Sequence, residues 1–318
     1  MELRRDSVLN YITKSAALLF MVSMGLAGCD SESSTGPDSG GNETQNVAQV
    51  AAEDSSLRVF SETLVEAGLD SELESDESYT LFAPTDSAFE RLPEGFLAEL
   101  SADEKNQILS YHLLPGAMYE GDIQGSDTIE PVAGGSIFVN AKEQTELNRS
   151  ATIVEGDKEA ANGVIHKIDQ VLIPDSYLTV FEVIDKRYSL AKFACHCTSG
   201  RTELDDVLNN EGSEFTVFAP TDEAFDNFGN VDNLSDPELE RIMNYHVIEQ
   251  KLLSDQLTDG ESLETLNGET IQISVADDGT ISLNGGQAVV QKADLQGTNG
   301  ALYIIDTVMD PDAGTASQ

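Results

Sequence analysis

Apolar and polar positions change their spacing along this chain, and each change marks an element. The first pattern is a nearly unbroken apolar run, Ala16–Leu26, behind the basic residues Arg4, Arg5 and Lys14. It is about half of the ~20 residues that a membrane-spanning helix needs, which fits a secretory signal better than a permanent anchor. The next stretch, DSESSTGPDSGGNETQN over residues 30–46, has no aromatic or branched apolar residue. It cannot bury enough surface to offset the entropy of ordering, so residues 29–46 are predicted to form a flexible tether. Apolar residues return at Val59, Phe60, Leu64 and Leu69, on one face of an amphipathic helix. Tyr79–Ala83 reads as a short strand closed by Pro84, and Thr85 or Asp86 can cap a helix carrying Ala88 and Phe89. Ser101 with Glu104, and Ser235 with Glu238, form capping boxes that open a further helix. The first of these helices runs out at Tyr111-His112, and Pro115-Gly116 breaks the chain behind it. Later segments are strand-like, most clearly Thr270–Val275 and Thr280–Leu283 about the turn Asp277-Asp278-Gly279. Helices early and strands late predict an α+β class.

The same order of elements occurs twice. TLFAPTDSAF, from Thr80 to Phe89, returns 136 residues on as TVFAPTDEAF, from Thr216 to Phe225. Tyr111-His112 returns 134 residues on as Tyr245-His246. NGVIHKIDQVLIP, from Asn162 to Pro174, returns 137 residues on as NGALYIIDTVMDP, from Asn299 to Pro311. A period this long exceeds the roughly 20–50 residues of a solenoid repeat, so these are two copies of one domain. They are predicted over 47–175 and 176–311, leaving 312–318 as a tail.

Charge narrows the partners without naming a reaction. The 318 residues hold 17 Lys and Arg against 58 Asp and Glu, a net charge of −41. Such a surface repels nucleic acid and anionic headgroups. Salt adaptation, plain solubility and divalent-cation binding would each produce it. The chain lacks G-x-S-x-G, G-x-x-x-x-G-K-[S/T], H-E-x-x-H and G-x-G-x-x-G, and its four histidines are too scattered for a catalytic or metal centre. No enzyme activity, metal site or cofactor is expected.

Two resemblances give these patterns a context. Leu26-Ala27-Gly28-Cys29 resembles the bacterial lipobox, in which the Cys thiol is diacylated and the peptide before it removed. Residues 1–28 are thus expected to be a lipoprotein signal peptide, and Cys29 the lipidated first residue of the mature chain. The Phe-Ala-Pro-Thr-Asp segment, the central Tyr-His and the closing Asn-Gly motif, in order and twice, resemble the fasciclin-type domain over about 47–311. That resemblance implies two domains, each a wedge of β-strands flanked by helices. It also implies a non-catalytic protein of cell adhesion or matrix contact. With the lipobox, it places the chain in the cell envelope, lipid-anchored in the periplasm or at the surface, its partner a protein or glycan. A ligand-binding or scaffold lipoprotein of the periplasm is the competing reading. Copy two departs from the motif, with Tyr303 where copy one has His166.

The candidate site residues follow from these landmarks. In animal relatives the Tyr-His pair is linked to integrin contact, which makes Tyr111, His112, Tyr245 and His246 candidate contact residues. Their place at the end of an amphipathic helix argues first for packing and hydrogen bonding. Asn162, Asn299, Asp169 and Asp306 are expected to satisfy backbone groups. Cys195-His196-Cys197 is not explained by the resemblance. A local Cys195–Cys197 disulfide, free thiols and a metal site are all open, although residues i and i+2 of a helix point apart. Asn148-Arg149-Ser150 and Asn233-Leu234-Ser235 match a glycosylation pattern but carry no weight beside a bacterial lipobox.

Overall fold

The computed structural model describes residues 45–75, 77–93, 95–229 and 231–312. The signal peptide, Cys29 and the tether up to residue 44 lie outside the described residues, as does the tail after Asp312. The fold divides into two units between Leu172 and Ile173. Asp175 pairs with Arg187 of the second unit at 2.8 Å and also with Lys186, so it belongs there.

In the first unit a helix, Val47–Glu53, begins with a capping box of Asn46 and Gln49. A second helix, Arg58–Ala67, buries Phe60 and Leu64 and stops at Gly68, whose φ of 74° suits a residue without a Cβ. Strands follow: β1 (Tyr79–Pro84), β2 (Leu113–Pro115), β3 (Thr128–Ile129), β4 (Ile137–Ala141), β5 (Thr145–Leu147), β6 (Ala151–Ala160) and β7 (Gly163–Ile168). They form one sheet in the order β2-β1-β7-β6-β5-β4-β3. β1 and β7 are parallel, from Tyr79 opposite Gly163 to Pro84 opposite Ile168, and the remaining pairs are antiparallel.

The second unit repeats this arrangement. Its strands are β8 (Phe215–Pro220), β9 (Val247–Ile248), β10 (Ser262–Glu264), β11 (Thr270–Val275), β12 (Ile281–Leu283), β13 (Ala288–Gly297) and β14 (Gly300–Ile305). Their order, β9-β8-β14-β13-β12-β11-β10, matches the first sheet strand for strand, with β8 and β14 parallel. Both units are α+β, as expected.

Alternation along β1 builds two cores in the first unit. Leu81 and Ala83 pack with Phe60, Leu64 and Leu109 of the helices, while Phe82 joins Tyr111, Ile137, Leu147 and Ile168. A period of two sends successive side chains to opposite faces, which explains the unbroken apolar run in a strand covered on both sides. Both predicted capping boxes form, at Ser101 with Glu104 and at Ser235 with Glu238.

Candidate functional site

The Tyr-His pair closes the helix Ala102–Ser110 in the first unit and Asp236–Tyr245 in the second. His112 is wholly buried, with Nδ1 2.8 Å from Ile108 O and Nε2 accepting from Leu172 N–H at 2.9 Å. A carbonyl only accepts and an amide only donates, so the ring is neutral with its proton on Nδ1. His246 repeats this, with Nδ1 2.8 Å from Ile242 O and Nε2 2.9 Å from Met309 N. Burial pushes both imidazoles down to about 4, against a smaller upward pull from the helix carbonyl. Each histidine ties the end of a helix to the segment that follows the last strand.

The tyrosines are anchored just as firmly. Tyr111 donates to Ser136 O at 2.6 Å and Tyr245 to Thr270 O at 3.0 Å. Asn148 and Asn284, both left-handed at φ 52°, reach these hydroxyls through Nδ2 and accept from the amides of Phe138 and Gln272. All four side chains of the two pairs are buried. That burial accords with packing and hydrogen bonding, and leaves almost none of either pair exposed to a partner at the surface. Asn148 is buried with its Nδ2 turned to the Tyr111 hydroxyl, which removes it as a glycan acceptor.

The other repeated polar residues are spent on the backbone too. Of the two capping candidates, Thr85 caps its own helix by accepting from Ala88 N–H, while Asp86 accepts from Val59 N–H at the start of Arg58–Ala67. Thr221 and Asp222 do the same toward Ala224 and Lys192. Thr80 donates to Gly116 O and accepts from Met118 N–H, as Thr216 does with Gln250 and Leu252. Asp169 and Asp306 accept from Thr152 N–H and Val289 N–H. The role of Thr80, Thr216, Asn148 and Asn284 was missed from the sequence. Their signal was there, since each pair recurs at the same spacing of 136.

The closing motif explains its own glycine. A Cβ on Gly163 would lie 1.9 Å from Tyr79 O, and one on Gly300 2.6 Å from Phe215 O, so the parallel pairing needs glycine there. Three residues on, the two units differ. His166 has Nε2 2.9 Å from Met118 O and accepts on Nδ1 from Asp157 N–H at 3.2 Å. Burial lowers its pKa, while Met118 O and the carboxylates of Asp157 and Glu120 act the other way. Tyr303 instead donates its hydroxyl to Leu252 O at 2.9 Å.

Cys195 and Cys197 sit on one helix, Ala191–Thr198, Cys195 exposed and Cys197 buried, both as free thiols. The local disulfide is not formed, because i and i+2 of a helix point apart. Cys197 takes the place that Leu64 has in the first unit, and burial raises its pKa well above the ordinary thiol value. Among the described residues no group of three or more His, Cys, Asp or Glu is placed to hold a metal, and no helix is long and apolar enough to cross a membrane.

The pattern of paired sheets and repeated latches has a counterpart in known proteins. The fasciclin-domain model matches residues 55–174 and 196–311. The chain belongs to the fasciclin-domain family. It is 28% identical to human periostin over 251 residues, 76% of this chain and 29% of that protein. It is 33% identical to an uncharacterized protein of Synechocystis sp. over 130 residues, 40% of this chain and 97% of that one. The fasciclin pair is similar in fold to the FAS1 domain pair of the insect cell adhesion molecule fasciclin I, with a TM-score of 0.56 and 19% identity over 81% of this chain and 98% of that one. The chain spans about a third of the first animal relatives it matches, 29% of human periostin and 36% of the pig transforming growth factor-beta-induced protein ig-h3.

Proposed function

We propose that this chain is an exported lipoprotein, held to the cell envelope by a lipid on Cys29, whose fasciclin domains make adhesive or matrix contact with a protein or glycan. One observation carries the reading. The polar residues of the repeated motifs, among them Thr80, His112, Asn148 and Asn162, are bonded to main-chain atoms of their own unit. Each domain is thus a closed scaffold, and its outer surface is what remains for recognition. Among the described residues, large apolar side chains stand out of that surface at Val65, Tyr119, Val132 and Val154, all in the first unit. Single exposed apolar residues are common, but their presence on one unit points to that unit as the contact side. The likeness to an insect adhesion molecule supports the same class of role.

Replacing Cys29 with Ser removes the thiol that carries the lipid, so the protein should leave the membrane fraction and lose palmitate label. Persistent labelling would sink the anchor. Protease added to intact cells should cleave the domains; full protection would favour a scaffold inside the periplasm. The two units are also proposed to fold alone, and fragments 45–172 and 173–312 should each unfold cooperatively.

A further inference from the structure

The incoming peptide of each unit lies beside the start of that unit's last strand. In the first unit Ala161 N–H donates to Gln45 O at 2.7 Å and Val47 N–H to Asn162 Oδ1 at 2.9 Å. Asn162 Nδ2 then reaches Leu73 O at 2.7 Å, tying the latch to the body of the unit. In the second unit Thr298 N–H donates to Leu178 O at 2.7 Å, Val180 N–H to Asn299 Oδ1 at 2.7 Å, and Asn299 Nδ2 to Leu208 O at 2.8 Å. The chain leaves each unit from the far end of the same strand. β7 ends at Ile168, with Leu172 held by His112, and β14 ends at Ile305, with Met309 held by His246.

We infer that each fasciclin domain is a shear clamp that carries tension along the chain, passing load from the incoming peptide through the asparagine latch directly into β7 or β14. The direction of the segments makes the loading shear. Residues 45 to 47 run the same way as 161 to 162, so pulling the two ends of the unit slides these segments past one another. Sliding strains all the bonds of the latch together, whereas peeling would break them one at a time. Load then follows the covalent strand out of the unit, and β2 to β5 stand outside its path. β7 is gripped on both sides, parallel to β1 and antiparallel to β6, so it cannot be drawn out without breaking both pairings. A tether pulled from one side and a partner from the other would supply the tension. That source rests on the anchored, adhesive reading above; the clamp geometry does not.

Constant-force pulling on the full chain, with handles at its two termini, tests the clamp. Two rupture steps are expected. Asn162→Ala should speed one step and Asn299→Ala the other, each by about tenfold or more. Asn148→Ala serves as the control, since it removes a buried, hydrogen-bonded side chain off the load path. It should lower thermal stability yet leave both rupture rates within about twofold. Rupture rates that simply track thermal stability in all three variants would overturn the inference. If Asn162→Ala fails to fold, the unsubstituted chain still decides. A site-specific handle at Lys142 in place of the N-terminal one loads β6 against β7 from their open end, where Ile153 faces Ile168. The first unit should then unzip at lower force than in the end-to-end pull, and equal forces would end the argument. Release of Cys29→Ser from membranes leaves these measurements untouched, so the anchor and the clamp fail separately.

Discussion

The two units share a strand order and a set of latches, yet they fill some positions with different chemistry. Met118 O and Leu252 O occupy the same place, and one is met by the imidazole of His166, the other by the phenol of Tyr303. The segment after the first helix carries Asp54 in one unit, bound by Lys167 at 2.6 Å and Lys158 at 3.1 Å. The other unit has Arg187 there, bound to Asp175 at 2.8 Å, so the sign of the charge is reversed. The first helix is opened by Gln49 in one capping box and Glu182 in the other. Leu64 and Cys197 share one core position. What persists is the bond that each buried backbone group requires, and the residue supplying it is free to change.

Breaking a latch that both units share should have the largest effect. His112→Ala leaves the buried Leu172 N–H without its partner, takes one of two donors from Ile108 C=O and opens a cavity, a loss of about 3 kcal/mol in the first unit. His246→Ala should cost the second unit a similar amount, because its bonds to Ile242 and Met309 have the same lengths. Hydrogen exchange resolved along the chain would assign each loss to its unit. A His112→Ala protein that melts like the parent but no longer adheres would restore the pair as a contact site.

Acid should separate the units. The folded pKa of His112 and His246 is about 4, below the ordinary value of 6.5, so the unfolded chain binds more protons in between. Stability is therefore full above about pH 6.5 and falls as pH drops toward 4, by roughly 3 kcal/mol per fully buried imidazole. The first unit carries a second lowered histidine, His166, where the second has Tyr303, so the first should lose protection earlier on acidification. His166→Tyr should narrow that gap. An unchanged gap, read by exchange at pH 7 and pH 5, would show that its source lies elsewhere.

Smaller differences come from single bonds. Tyr303→Phe removes the donor to Leu252 O and should cost about 1–2 kcal/mol, while Tyr303→His, which mimics the first unit, should recover part of it. Ser101→Ala and Ser235→Ala should each cost about 1 kcal/mol, equally in both units, since both capping boxes are formed. Unequal losses in thermal melting would mean that one box is dispensable.

Much of this architecture was legible because it is local or repeated. The strand–turn–helix at Thr80–Phe89, the capping boxes and the hairpin around Asp277–Gly279 depend on neighbours in sequence, and the two copies confirmed one another. The helix Val47–Glu53 was not legible. Its cap, Asn46, sits in a polar run, and its amide at Val47 is held by Asn162, 115 residues away. Separation in sequence also hid the parallel pairing of β1 with β7, which no local pattern encodes. The helix-end position of Tyr111 and His112 already pointed to packing, but the partners that hold them, Ser136 and Leu172, are again remote in sequence. The acceptor pattern at Asn148, given no weight in the sequence, has none in the fold either, because burial and not the motif decides what that side chain can do.

The position of β7 between β1 and β6 also sets an order of assembly. The strand that completes the middle of the first sheet is the last one synthesised, so its two halves cannot join until residues 163–168 have appeared. Non-local pairing of this kind folds slowly, because a long loop must close before any contact rewards it. A chain that crosses a membrane unfolded gains from such a delay, since no prefix of the unit can lock into the finished sheet ahead of its end. Fragments that stop before Gly163 should therefore remain open and protease-sensitive, while extension through Leu172, which supplies the partner of His112, should let the first unit close.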